Sequence, residues 1–124
     1  MLRASKSRLV GANSPGIIAP LGSCRIGFQP LPMYRPGHIG VIAKSGTLSY
    51  EAVGSLSRAG LGQSLCIGIG GDPISGTTVD EALRVLTGDR DTHGIVIIGE
   101  LGGDSEMSLA EQIQNYRIKA KNPK

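Results

Sequence analysis

The chain has 124 residues and a formal charge of +3, with 19 Gly, 7 Pro, no Trp, one Phe and three Tyr. That length supports one domain with a modest core, which the scarcity of aromatics leaves to Ile, Leu, Val and Ala. The glycines follow no fixed period, which excludes a collagen-like repeat, and no apolar run approaches the roughly 20 residues that a membrane helix needs.

Residues 1–38 are punctuated by Gly and Pro from Gly11 to Gly37. Only short extended pieces fit there, Gly16–Ala19 and Arg25–Phe28, and no helix does. Such a stretch predicts a connecting arm between domains. Regular patterning begins at Ile39. An apolar strand, Ile39–Ala43, leads through Lys44-Ser45-Gly46-Thr47 into a helix ending near Ala59. The apolar positions of that helix, Leu48, Ala52, Val53 and Leu56, form one stripe. Ser45 or Thr47 caps its start and Gly60 its end.

A second strand, Leu65–Ile69, runs into Gly70-Gly71-Asp72-Pro73. Thr78-Val79-Asp80-Glu81 then reads as a capping box. The helix behind it carries Val79, Ala82, Leu83 and Leu86 at i, i+3, i+4, i+7 and stops at Gly88. A third strand, Gly94–Ile98, is apolar throughout and predicts burial on both faces. It leads into Gly99-Glu100-Leu101-Gly102-Gly103 and a last helix over about 105–117, with Leu109, Ile113 and Tyr116 on one face.

Three β-α units predict an α/β fold with a parallel sheet. All three strand-to-helix turns then gather at the carboxyl edge, where open α/β sheets bind ligands. The turn at Ser45-Gly46-Thr47 is the sharpest candidate. A helix start presents free N–H groups and a dipole that favour an anion, a phosphoryl group or a carboxylate. Each Gly-rich turn also reads more simply as a chain reversal. Glu100 stands out because a carboxylate beside an anion site needs a cation or a protonated imidazole as partner, or else caps the next helix. Tyr50 lies one turn into the first helix. His38 and His93 precede the first and third strands, on the opposite edge. Cys24 and Cys66 have no metal-ligand spacing, and Cys66 reads as a small buried hydrophobe in a reducing compartment. The basic residues of the two tails, from Arg3 to Arg8 and from Arg117 to Lys124, lack interleaved aromatics and predict solvated tails with no nucleic-acid partner.

Five segments together resemble a known family. They are Val10–Gly16, Pro36–Val41, Ser45–Ala52, Gly60–Pro73 and Gly99–Gly103. They are similar to the α subunit of succinyl-CoA synthetase, over about Arg8 to Pro123, and to the corresponding part of ATP-citrate lyase. The resemblance implies a flavodoxin-like three-layer domain over 39–124, truncated after three β-α units, with residues 1–38 as the irregular arm from a CoA-binding domain. It implies a ligase of the tricarboxylic acid cycle that interconverts succinate and CoA with succinyl-CoA, using ATP or GTP with Mg and a phosphohistidine. The residues matching Ser45, Gly46 and Thr47 face the phosphoryl group, and the one matching Tyr50 serves succinate. The one matching Glu100 orients the histidine, and the loop matching Asn13, Ser14 and Pro15 lies near the CoA thiol.

Three departures stand against the pattern, the first being that the family's CoA-binding domain is missing. Position 14 carries Ser where familiar members carry Cys, and the sequence ends before the Gly-His-Ala-Gly loop. The resemblance therefore implies a chain inactive by itself, with no bound cofactor and no metal, and a β subunit as partner. The alternative is a non-catalytic paralogue that binds a β-like or α-like subunit. The expected location is the mitochondrial matrix in a eukaryote or the cytoplasm in a bacterium, and Met1–Arg8 carries no clear targeting peptide.

Overall fold

The computed structural model describes residues 5–102 and 105–121. Strands Gly16–Ala19 (β1), Cys24–Gly27 (β2), Pro36–Ala43 (β3), Gln63–Gly68 (β4) and Gly94–Ile98 (β5) form one sheet in the order β2-β1-β4-β3-β5. β3 lies parallel to β4 on one side and to β5 on the other. The two extended pieces of the arm join the same sheet as an antiparallel hairpin, and β1 also runs antiparallel to β4. Helices Gly46–Arg58 (α1), Val79–Gly88 (α2) and Ser105–Lys121 (α3) complete the fold. Gly103, the side chain of Tyr116, Arg3 and the cations beyond Tyr116 lie outside what the structure describes.

The helices divide between the two faces, which makes three layers. On one face Ile42, Ile67 and Ile69 pack against Val79, Ala82, Leu83 and Leu86 of α2 and Leu109 of α3. On the other, Ile18, Val41 and Cys66 pack against Val53 of α1 and against Tyr34. Thr78 closes the expected capping box, its hydroxyl accepting from the Glu81 N–H while Glu81 accepts from the Thr78 N–H.

Two expectations change in detail. The stripe of α1 is rotated: Val53 faces the sheet as expected, but Leu48 is 56% exposed and Ser49 is buried in its place. Ser49 tolerates burial because its hydroxyl donates to the Gly46 carbonyl at 2.5 Å, so no polar group is orphaned. β5 is half-buried along its whole length, because among the described residues only β3 pairs with its backbone.

The chain runs from β3 through α1 to β4 on one side, then through α2 to β5 on the other. The connections therefore diverge at the carboxyl ends of β3 and β5. A crevice opens at such a reversal of strand order.

Candidate functional site

Ala43 and Ile98 are register partners, so the turns that follow them start side by side. The Lys44 N–H donates to the Ile98 carbonyl at 3.1 Å and holds them together. From this point α1 departs over one face of the sheet, and the β5-α3 turn over the other.

The α1 side is neutral and rich in donors. Ser45 is the N-cap, and its Oγ accepts from the Leu48 N–H at 3.4 Å. Thr47 is exposed beside it. A methyl group placed on Gly46 would stand 3.9 Å from both the Tyr50 hydroxyl and the Pro15 ring, so those three residues converge. Tyr50 is half-buried. Behind it Tyr34 is buried, and its phenol is pushed upward by desolvation first, then by the neighbouring Cys66 and Tyr50. Cys66 itself is buried, and desolvation pushes its thiol up to about 12. That is a neutral, inert thiol, as the sequence implied.

The arm reaches the same edge because β1 runs antiparallel to β4. Its start, at Gly16, therefore lies by the carboxyl end of β4. The Ser14 hydroxyl donates to the Gly68 carbonyl and accepts from the Gly16 N–H. Asn13, in the left-handed region at φ 49°, donates through Nδ2 to Asp72 Oδ1 at 3.2 Å. Asn tolerates that conformation better than most side chains. Asn13, Ser14 and Pro15 thus lie against both the α1 start and the β4-α2 turn.

The other side is acidic. A cleft of about 510 Å³ lies between the β4-α2 and β5-α3 turns, lined by Lys44, Gly70 to Pro73, Thr78, Glu100 and Leu101 among others. Glu100 is exposed. Its carboxylate rests beside Gly71, where a Cβ would meet Oε2 at 2.8 Å. No donor among the described residues lies within hydrogen-bonding distance of that carboxylate. Among the described residues Lys44 is the only cation lining the cleft, and it is paired with Glu106 at 2.7 Å. The edge therefore splits: the α1 side suits an anion, and the Glu100 side suits a cation or a protonated ring.

The sequence-predicted residues Ser45, Gly46, Thr47, Tyr50, Asn13, Ser14, Pro15 and Glu100 all fall on this one edge. His38 and His93 fall on the opposite one, stacked with ring centroids 4.3 Å apart. Sequence reasoning gave no role to Lys44 or Glu106, and gave Asp72 only that of a turn cap. Lys44 and Asp72 were visible as strand-end residues, but their partners lie 62 and 59 positions away. No local pattern shows such pairs.

The chain matches the CoA-ligase family model over residues 42–123. It is 45% identical over 113 residues to the ADP-forming succinate–CoA ligase subunit alpha of Staphylococcus aureus, covering 91% of this chain and 37% of that protein. The corresponding Staphylococcus epidermidis protein is 44% identical over the same lengths. The chain thus spans just over a third of these relatives. Among solved structures, the Methanosaeta concilii ATP citrate lyase is 28% identical with a TM-score of 0.77, over 90% of this chain and 19% of that one. A Candidatus Korarchaeum cryptofilum dinucleotide-forming acetyl-coenzyme A synthetase, 22% identical with a TM-score of 0.65 over 83% of this chain and 22% of that one, shares the fold. With the family model covering most of the sequence and all three turns at the shared edge, the chain belongs to the CoA-ligase family.

Proposed function

We propose that these residues form the phosphoryl-handling edge of a succinate–CoA ligase α subunit, which works with a β subunit. The observation that carries the reading is the split polarity at the ends of β3 and β5. A phosphorylated imidazole has an anionic phosphoryl group and, on its other nitrogen, a ring N–H that a carboxylate can accept from. The free N–H groups at the start of α1 suit the first, and the Glu100 carboxylate suits the second. Identity to α subunits over 91% of the chain supports the choice of acid and partner.

In this reading Ser45, Gly46 and Thr47 hold the phosphoryl oxygens, and Tyr50 donates its hydroxyl to the succinate carboxylate. Glu100 accepts from the ring N–H and fixes its orientation. Asn13, Ser14 and Pro15 border the path of the CoA thiol. Ser14 replaces a thiol with a hydroxyl that is already committed to the Gly68 carbonyl, so it orders the loop and takes no part in the chemistry. Nucleotide and Mg belong to the β subunit. Both histidines of the sequence lie on the far edge, so the phosphoryl carrier comes from outside these 124 residues. By themselves they bind the partner and do not turn over.

A chimera tests this. Residues 8–121 replace the matching segment of the Staphylococcus aureus α subunit, and the product is assembled with that organism's β subunit. The chimera is expected to form succinyl-CoA and to accept label from radioactive ATP, and Glu100→Gln is expected to lower the labelling. The 124-residue chain mixed with the same β subunit is expected to stay unlabelled. An assembled chimera that never labels overturns the reading.

A further inference from the structure

We propose that Lys44 and Glu106 are positioning residues, a clasp that aims Glu100 across the carboxyl edge. The inference rests on Glu100 being the partner of the imidazole, and it adds two residues to that site. Lys44 Nζ lies 2.7 Å from Glu106 Oε1, with the Lys44 side chain 16% exposed and that of Glu106 37%. A charge-assisted hydrogen bond with its cation sheltered in this way is shorter and more directional than a neutral one. The same Oε1 accepts the backbone N–H of Glu100 at 3.2 Å. One carboxylate oxygen therefore joins three segments: the end of β3, the backbone after β5 and the first turn of α3.

Two glycines make room for this arrangement. A Cβ at Gly99 would lie 2.9 Å from Glu106 Oε1, so a side chain there would displace the clasp. A Cβ at Gly71 would lie 2.8 Å from Glu100 Oε2, so a side chain there would displace the carboxylate. With its N–H fixed from one side and its carboxylate seated over Gly71 on the other, Glu100 is held at both ends. A general ion pair between β3 and α3 would not need its acceptor oxygen on the backbone of Glu100.

The test uses the full ¹⁵N-labelled chain with Lys44→Met, Glu106→Ala and Lys44→Arg. In the first two variants the Glu100 amide cross-peak is expected to move. Its hydrogen exchange is expected to quicken about tenfold or more, as befits the loss of a bond to a charged acceptor. The amides of Val41 and Ile42 are expected to keep their wild-type rates, and Lys44→Arg is expected to restore the Glu100 signature. An unmoved Glu100 amide in both disrupting variants overturns the proposal. So does equal acceleration of the Val41 and Ile42 amides, which marks a merely structural effect, and so does a failure of Lys44→Arg to restore the signal. None of these readouts involves a histidine, so they can fail while the labelled chimera succeeds, and the reverse also holds.

Discussion

Gly70→Ala tests whether the arm is seated on the site. Gly70 has φ +90°, and a Cβ there would come within 2.2 Å of the Ala12 carbonyl oxygen. Gly60→Ala is the matched control: its φ is +77°, and nothing lies within 4 Å of the added carbon. Both substitutions force an L side chain to positive φ, at about 1–2 kcal/mol. Only Gly70→Ala also drives a methyl into backbone, adding about 1–3 kcal/mol. In urea, with a slope of about 2 kcal/mol per M for a chain of this size, the midpoint of Gly70→Ala should fall roughly 0.5–1.5 M below that of Gly60→Ala. Because the clash is with Ala12, the excess should come with loss of the neighbouring Asn13–Asp72 hydrogen bond. Adding Asn13→Ala to Gly70→Ala should then cost almost nothing further. Equal midpoints for the two glycine variants would refute the claim that residues 12–15 pack against the β4-α2 turn.

The rotation of α1 predicts that Leu48→Ala changes stability by no more than about 0.5 kcal/mol, whereas Val53→Ala, at a side chain with no exposure, costs about 1–3 kcal/mol in the same denaturation assay. Thr78→Ala removes the hydroxyl half of the capping box, leaves the backbone N–H of residue 78 on Glu81, and should cost about 1 kcal/mol. Cys66 titrates near 9 when unfolded and near 12 when folded, so the unfolded chain loses its proton first. Stability is therefore intact below pH 9 and falls as pH rises from there toward 12, by up to about 1.4 kcal/mol per unit. Cys66→Ala should flatten that alkaline slope in pH-dependent melts. With a thiol reagent at neutral pH, exposed Cys24 should react promptly and Cys66 only on unfolding.

The regular half of the fold was legible because its signals are local. The capping box at Thr78, the i, i+3, i+4, i+7 face of α2 and the glycine after each strand need only a few neighbouring residues to be read. The candidate edge followed, because parallel strands must bring their turns together. What stayed hidden depends on distant partners. Leu48 suits an apolar face better than Ser49 does, and only contact with the sheet decides that Ser49 is the one buried. The run Gly94–Ile98 reads the same whether its strand lies inside a sheet or at its margin. Gly16–Ala19 is too short to show that it pairs with both β2 and β4. Lys44 is an ordinary strand-end lysine until Glu106 folds back beside it.

The bonds that assemble the edge also bear on how the molecule is made. Ser14 meets Gly68 across 54 positions, Asn13 meets Asp72 across 59, and Lys44 meets Glu106 across 62. Closing loops of that length costs chain entropy before any of these contacts forms, which slows folding relative to a helical bundle of equal size. During synthesis the arm can settle only after β4 has emerged, and Glu100 is fixed only once α3 has begun. The edge therefore matures after the first two β-α units, and a chain released or cleaved before Glu106 leaves Glu100 unset.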